Sequence, residues 1–509
     1  MFAIRNLIVL SFIVLSGCAS VVISTKDPSV QYKSKLATEA FKYLDTSIGA
    51  LYADTLENDE NLSGAMLIAN GSYALYHRIA LTRMAQHTIE LQTYIYDNDF
   101  TSRLLMHEMK LAADRGVHVR ILVDDLGLDS DHSDIIHLND HPNIEVKVFN
   151  IFRPRTRILR YPQLVGSLLR LSRLNNRMHN KVFCVDNSVA IIGGRNVADN
   201  YFDNKNINFS DTEVLFLGKL ARDATFSFYR YWNYHRAIPV ALFPQNKIDL
   251  DELDVQIKEE IKASGMDYDS IIAGFTESFT SKSFSVYWGR GELIADSPYK
   301  VDGMEPESPI LNKLLSLIAE SDESLYITSA YLIPGKEGAK LLIDTFERGV
   351  DVRVLTNSLA STDVVITYIG WIPYRDQLLD KGIKVFEFRA TNVDTRERGN
   401  SGASLHSKVM VFDNETTWVG SYNMDPRSNY YNTEIVALFY SPEFAELVSG
   451  HIKGNMSIHR SWELTRSGGA TWWHTIREGE PHSFGYIPDV DFHVQFLSLF
   501  LLVVPEHYL

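Results

Sequence analysis

One pattern occurs once in each half of this chain and constrains its fold more than any other feature. Residues 178–186 and residues 405–413 both read His-x-Lys-x4-Asp, each preceded by an apolar residue. Six residues after each copy comes a turn of small residues that ends in an asparagine, Asn196 or Asn423. Two copies with the same extension predict a duplicated fold, in which each half supplies half of one active site.

The two motifs have the residue alternation of a β-strand, and each is predicted to lie at the end of one. Alternate residues of a strand lie on one face, so the histidine and the lysine of each motif are predicted to project together. The aspartates have the opposite parity and are expected to point into the scaffold. The residues of this catalytic motif set are His179, Lys181, Asp186, His406, Lys408 and Asp413.

The segments that follow the motifs supply further candidates. A tight turn built from small residues is expected to bring the amides of Asn196 and Asn423 back toward the histidine and the lysine. Each half then has a Thr-Glu pair, and Glu213 and Glu434 are candidates to orient the imidazoles through the far ring nitrogen. In the first half, Asp211 is an alternative to Glu213. We group the two asparagines and the two glutamates as substrate-binding residues.

Paired imidazoles, ammonium groups and amides favour an anion, and a phosphoryl group above all. Lysines and amide donors stabilise charge on the oxygens of phosphorus, while one histidine attacks and the other protonates the leaving alcohol. The histidines must then differ in pKa and titrate as a coupled pair. A metal site is disfavoured because a lysine lies two residues from each histidine, and neither a metal nor another cofactor is expected.

With these motifs, the chain resembles the phospholipase D superfamily, whose signature is a duplicated His-Lys-Asp motif. The resemblance implies a covalent phosphohistidine intermediate at a single site between two pseudo-symmetric halves. It assigns the nucleophile to His179 and the acid to His406, an order that the residues themselves leave open. It also implies an α/β fold of two pseudo-symmetric phospholipase D-like α/β/α sandwich halves, with β-sheet cores flanked by helices.

Other segments repeat in the same order and outline the domains. Short β-rich runs alternate with helical stretches, as in an α/β sheet. The matching pairs are 89–96 with 325–332, 116–122 with 349–355, and 144–149 with 383–388. The predicted domains are a signal peptide at 1–17, a tether at 18–60, a first half at 61–240, a connecting segment at 241–290 and a second half at 291–509.

The first residues of the chain read as a bacterial lipoprotein signal. Arg5 precedes an apolar run at residues 7–15, and Ser16-Gly17-Cys18 completes a lipobox-like pattern. We therefore expect Cys18 to be lipidated and the protein to be anchored in the cell envelope, facing the periplasm. Ala19 is not the acidic residue associated with inner-membrane retention, which weakly favours the outer membrane but leaves the choice open. With Cys18 acylated, Cys184 has no disulfide partner.

The distribution of charge favours a membrane over nucleic acid as the partner. The formal net charge is −15, which argues against indiscriminate nucleic-acid binding. Residues 152–178 are the exception, since they combine arginines with leucines and contain no acid, and we expect them to contact anionic phospholipid headgroups. A solvated loop with an ordinary amphipathic helix is the alternative. The arginines are Arg153, Arg155, Arg157, Arg160, Arg170, Arg173 and Arg177.

Three segments are similar to the cardiolipin synthase C branch of the superfamily: 288–298, 423–428 and 504–509. This resemblance implies a phosphatidyltransferase that makes cardiolipin from phosphatidylglycerol and a second phospholipid, possibly phosphatidylethanolamine. The alternatives are a phospholipase D that releases phosphatidic acid, an endonuclease, and a non-catalytic envelope protein. The membrane and phospholipids are the expected partners, and the sequence identifies no partner protein.

Overall fold

Runs of aliphatic and β-branched residues form the strands of this molecule, and capped amphipathic runs form its helices. The computed structural model describes residues 43–128, 134–151, 175–242, 250–304, 308–390 and 402–490. The predicted signal peptide with Cys18, most of the tether and of the basic segment, and the ending 504–509 lie outside the described residues. No helix in the described ranges has the length and apolarity needed to cross a bilayer.

The first half and the segment after it supply nine strands and seven helices among the described residues. The strands are β1 Leu62–Ile68, β2 Thr88–Thr93, β3 His118–Asp124, β4 Ile144–Phe149, β5 Val182–Val185, β6 Val189–Gly193, β7 Ile207–Ser210, β8 Glu213–Gly218 and β9 Ala237–Pro239. The helices are α1 Ser47–Leu51, α2 Ala53–Leu56, α3 Gly71–Met84, α4 Phe100–Asp114, α5 Lys219–Trp232, α6 Leu250–Ala263 and α7 Tyr268–Thr280.

The second half repeats this pattern and adds two strands at its end. The strands are β10 Tyr287–Ala295, β11 Ser324–Ser329, β12 Asp351–Asn357, β13 Lys384–Phe388, β14 Gly402–Leu405, β15 Lys408–Phe412, β16 Thr416–Gly420, β17 Ile435–Tyr440, β18 Ser461–Ser467, β19 Ala470–Arg477 and β20 Glu480–Phe484. The helices are α8 Pro309–Glu320, α9 Gly335–Glu347, α10 Val365–Asp380, α11 Pro426–Tyr430 and α12 Pro442–Asn455.

Eighteen strands form one continuous mixed sheet. Their order is β9-β4-β3-β2-β5-β6-β8-β1-β10-β17-β16-β15-β11-β12-β13-β18-β19-β20. The order reads the same outward from the β1–β10 junction in both directions, so each strand of the first half in this sheet has a counterpart in the second. The repeated segments of the sequence are the counterparts β2 and β11, β3 and β12, and β4 and β13.

Helices cover both faces of the sheet, which explains why its central strands are apolar on both sides. On one face, α3 and α4 pack in the core of the first half, and α9 and α10 in that of the second. On the other face, α5 and α12 share one core with strands of both halves. The predicted α/β fold with two pseudo-symmetric halves is therefore confirmed. The domain boundaries stay a prediction, since the two halves share one sheet and form one compact unit.

The motif aspartates lie at the hairpin turns that follow β5 and β15. Asp186 and Asp413 have φ values of 53° and 52°, and the next asparagine in each turn is also left-handed, as a type I′ turn requires. The Asp186 carboxylate accepts backbone N–H groups of residues 86–88, and that of Asp413 accepts those of residues 322–324. The aspartates thus fix the starts of β2 and β11, at the opposite ends of β5 and β15 from the histidines.

Candidate active site

The two motif histidines lie where the halves meet, and each is held by the other half. The backbone N–H of His179 donates to the carbonyl oxygen of Thr433 at 2.9 Å. That of His406 donates to the carbonyl oxygen of Ser210 at 2.8 Å, at the end of the parallel pair formed by β7 and β14. Both motifs therefore begin just before or at the start of a strand, not at the end of one as the alternation indicated.

Each imidazole is hydrogen-bonded to a carboxylate from the opposite half. His179 Nδ1 lies 2.9 Å from both carboxylate oxygens of Glu434, and His406 Nδ1 lies 2.8 Å from Asp211 Oδ2. An ionised carboxylate can only accept, so Nδ1 carries the proton in both rings. The Nε2 lone pair of each ring is then free to attack phosphorus or to carry a proton.

Asp211, and not Glu213, is the counterpart of Glu434. The sheet pairs Gly193 with Glu213 and Gly420 with Val436, so Glu213 corresponds to Val436. The residue two positions earlier faces the histidine in both halves. Aligning the two halves on their Thr-Glu pairs shifts the alignment by two residues. The aligned side chains then lie on the same face of the strand but at different positions along it.

Glu213 belongs to the scaffold. Its carboxylate accepts two hydrogen bonds from the guanidinium of Arg78, at 2.6 and 2.9 Å, and lies 3.5 Å from Arg195 Nη1. All three side chains are buried. Because the ion pair uses both oxygens of Glu213, this residue does not contact an imidazole as predicted. Asp211 contacts the imidazole of His406 instead.

The motif lysines are buried beside the histidines. Lys181 Nζ donates to the carbonyl oxygen of His179 at 2.7 Å, and Lys408 Nζ donates to that of His406. Burial lowers the pKa of Lys181 to about 7, against the opposing effect of Glu434, and burial also lowers the pKa of Lys408. Each Nζ donates to a backbone carbonyl and makes no ion pair among the described residues, so both ammonium groups can bind an anionic ligand.

The motif asparagines behave differently from each other. Asn196 accepts the N–H of Ile95 at 3.1 Å and donates to the hydroxyl of Tyr201 at 2.7 Å. The Tyr201 ring in turn lies against that of His406, with 5.1 Å between the ring centroids. The side-chain oxygen of Asn423 is buried and has no hydrogen-bond partner among the described residues. Asn196 therefore positions a wall of the site, whereas the Asn423 side-chain oxygen makes no such contact within the described residues.

Sequence reasoning missed the residues that hold Glu434. The hydroxyls of Ser421 and Ser428 both donate to its carboxylate, and Asp296 Oδ2 accepts its backbone N–H at 3.0 Å. Lys300 links two of these groups, donating to Asp296 Oδ2 at 2.8 Å and to the carbonyl of Ser428 at 2.9 Å. Two of the quoted segments, 288–298 and 423–428, thus converge on one carboxylate. Their spacing in sequence gave no sign of this.

The buried site keeps both imidazoles neutral at neutral pH when no ligand is bound. Burial lowers the pKa of His179 to about 4, with Glu434 opposing, and burial with Lys408 holds the pKa of His406 well below its ordinary value. Burial would raise the pKa of Glu434, but His179 and Lys181 hold it below its usual range. Burial raises the pKa of Asp211, although Lys408 and Arg195 oppose the rise. A neutral imidazole beside buried ammonium groups is the state that a phosphorus nucleophile needs.

Comparison with known proteins identifies the family of this chain. Residues 79–230 and 314–455 match the family described as cardiolipin synthase, PLD-like domain. Cardiolipin synthase C of Escherichia coli is 34% identical over 78% of this chain and 85% of its own, and an uncharacterized protein of Helicobacter pylori is 39% identical over 98% and 99%. The crystal structure of a phosphatidylserine synthase from Haemophilus influenzae has the same fold, with a TM-score of 0.54 and 12% identity over 81% of this chain and 91% of its own.

Proposed function

This chain belongs to the cardiolipin synthase family of PLD-like proteins and is a phospholipid phosphatidyltransferase, and we propose that it makes cardiolipin from phosphatidylglycerol and a second phospholipid through a phosphohistidine. The observation that carries this proposal is the crossed pair of histidines. His179 and His406 each hold one proton on Nδ1 against a carboxylate of the opposite half, beside two buried lysines.

The first step transfers the phosphatidyl group to the protein. His179 Nε2 bonds to phosphorus, and the bond from phosphorus to the headgroup oxygen breaks with its electron pair on that oxygen. His406 Nε2 gives this oxygen a proton. The phosphodiester anion raises the pKa of His406 as it binds, so Nε2 of His406 takes up a proton from solvent when the substrate is bound. Lys181 and Lys408 stabilise the charge on the other oxygens of phosphorus.

The second step releases the product and restores the site. A glycerol hydroxyl of phosphatidylglycerol gives its proton to His406 while its oxygen bonds to phosphorus. The bond between phosphorus and His179 breaks, and the imidazole is neutral again. Water in the same position would give phosphatidic acid, which is the hydrolase alternative. Aromatic rings favour transfer, because Tyr94 lies against His179 and Tyr201 and Phe209 lie against His406, which limits access of water.

Lipid analysis tests the proposal. The chain is expressed in a bacterium whose own cardiolipin synthases are deleted, and its lipids are measured by mass spectrometry. We expect cardiolipin with the natural sequence and with His482→Ala, which changes an exposed histidine of β20, but not with His179→Ala or His406→Ala. Phosphatidic acid without cardiolipin would make the protein a hydrolase. Cardiolipin from the His179→Ala chain would rule out the phosphohistidine.

We also propose that Cys18 is acylated and holds the catalytic unit at the periplasmic face of the cell envelope, with the basic segment 152–178 against the lipid surface. The lipobox-like sequence and six of the seven arginines support this location. The prediction that Arg177 contacts headgroups is wrong, because this side chain is buried and paired with Asp124. Growth with an alkyne-tagged fatty acid should label the natural chain and leave Cys18→Ser unlabelled. Equal labelling of both chains would contradict acylation of Cys18 and would leave the proposed reaction unaffected.

A further inference from the structure

A carboxylate lies at the His406 side of the site, outside the two motifs. Asp363 is exposed in the loop between β12 and α10, and the hydroxyl of Tyr331 donates to its two oxygens at 2.9 and 3.0 Å. The Tyr331 ring lies 6.0 Å from Lys408 Nζ. One tyrosine side chain therefore separates Asp363 from a lysine that faces the phosphoryl group.

The charge of Asp363 reaches the reacting groups. Burial and Lys408 together hold the pKa of His406 low, and Asp363 is one of the charges that oppose them. Burial likewise lowers the pKa of Lys408, with Asp211 and Asp363 opposing. Asp363 makes no ion pair in the described ranges, so its charge remains available to a ligand.

Among the described residues, the first half has no counterpart of the Tyr331 hydroxyl. Leu332 pairs with Met424 as Tyr96 pairs with Val197, so Tyr331 corresponds to Ile95. Isoleucine has no hydroxyl and cannot hold a carboxylate. The contact between Tyr331 and Asp363 therefore belongs to the second half alone among the described residues, although the catalytic groups beneath it are pseudo-symmetric.

The leaving headgroup belongs on this side. In a displacement at phosphorus the attacking and leaving groups are roughly in line, so attack by His179 directs the leaving oxygen toward His406. A carboxylate there repels the phosphate itself and attracts an ammonium group carried by the leaving alcohol.

We propose that Asp363, held by Tyr331, is a headgroup subsite that selects a phospholipid whose leaving alcohol carries a cationic amine over one with an uncharged polyol. The proposal deepens the function proposed above and rests on it. Phosphatidylethanolamine has such a headgroup, and phosphatidylglycerol does not.

Headgroup release from mixed micelles tests the proposal with the full chain. All micelles contain unlabelled phosphatidylglycerol as the acceptor, together with either phosphatidylethanolamine or phosphatidylglycerol whose headgroup is labelled, and kcat/KM for release of the label is measured for each. Asp363→Asn should lower kcat/KM for phosphatidylethanolamine by roughly tenfold, mainly through KM, and change that for phosphatidylglycerol by less than about threefold. Asp363→Lys should reverse the preference. Tyr331→Phe keeps the ring but frees the carboxylate, so it should give a smaller loss in the same direction.

The matched control is Glu446→Gln, which removes an exposed carboxylate from α12 and should change neither value. Equal loss on both lipids in Asp363→Asn would overturn the proposal, because Asp363 would then act on His406 alone. No loss on either lipid would overturn it too. A natural chain that releases neither headgroup would instead overturn the proposed function. Thermal melting of each variant separates these outcomes from misfolding.

Discussion

Small differences in side chains make the two histidines unequal. Asp211 is one methylene shorter than Glu434, and it lies so close to Gly194 that a Cβ there would be 2.5 Å from Asp211 Oδ2. The counterpart of Gly194 is Ser421, whose hydroxyl donates to Glu434. The same backbone position thus makes room for one carboxylate and supplies a hydrogen bond to the other.

Asp211 and Glu213 give a matched pair of variants. Asp211→Asn removes the charge that stabilises a protonated His406, so kcat should fall by about a thousandfold or more while the fold is kept. Glu213→Gln leaves the buried Arg78 without its partner and should cost about 3 kcal/mol of stability. Lipid turnover and thermal melting of both variants check this. A stable Glu213→Gln protein with no turnover would show that Glu213 acts in the active site and not only in the scaffold.

Lys181 should set the alkaline limit of activity. Its pKa of about 7 means that the ammonium group is lost as the pH rises through that value, and with it the charge that stabilises phosphorus oxygens. In free enzyme, kcat/KM should therefore fall above about pH 7. Lys181→Arg keeps the charge, so its smaller kcat/KM should stay level to higher pH. The same alkaline fall in both proteins would assign the limit to another group.

Strands and helices show how far the sequence alone could go. The repeats predicted β2, β3 and β4 and their counterparts, because apolar alternation marks strands well. Alternation does not distinguish the start of a strand from its end, so the prediction that the motifs lie at the end of a strand is wrong. Alternation also does not predict which residue after a loop lies at which position of the next strand. The loops before β8 and β17 differ in length, and that difference decided between Glu213 and Asp211.

Helix α7 packs on α3 through a histidine among aromatic rings. The His77 ring lies 4.9, 5.7 and 5.2 Å from the rings of Phe275, Phe279 and Phe284, and burial with Arg78 nearby lowers the pKa of His77 to about 3. This contact requires a neutral imidazole.

Acid should therefore loosen the contact of α7 with α3. The folded pKa of His77 lies below its unfolded value of about 6.5, so the contribution is complete above pH 6.5 and declines as the pH falls toward 3. At pH 5 the loss is at most about 2 kcal/mol. Chemical denaturation at pH 7 and pH 5 should show a smaller acid effect in His77→Phe than in the natural chain. Equal acid effects would place the sensitivity elsewhere.

Across the molecule, strand β10 joins the two halves into one sheet. It pairs with β1 on one side and β17 on the other, and its glycines permit close contact. A Cβ at Gly289 would lie 2.4 Å from the carbonyl oxygen of Tyr440, and one at Gly291 would lie 2.5 Å from Leu220. The repeats indicated two halves but not this junction, because the pairing of β1 with β10 leaves no periodic signal.

Because both halves of a site belong to one sheet, two inactive chains should not rescue each other. His179→Ala and His406→Ala proteins, mixed or expressed together, should remain as inactive as each alone. The lipid assay above measures this, with a mixture of natural chain and His179→Ala as the control for interference. Restored turnover would mean that chains exchange halves and that the sheet opens at the β1–β10 junction.

The crossing of carboxylates between the halves has a consequence for how such a site diversifies. A symmetric pair of identical short chains must carry the same acid at both ends of its axis, so any change on one side is copied to the other. Joining the copies in one polypeptide removes that obligation. The two halves use this freedom at three pairs of positions around their histidines: Asp211 and Glu434, Gly194 and Ser421, and Ile95 and Tyr331.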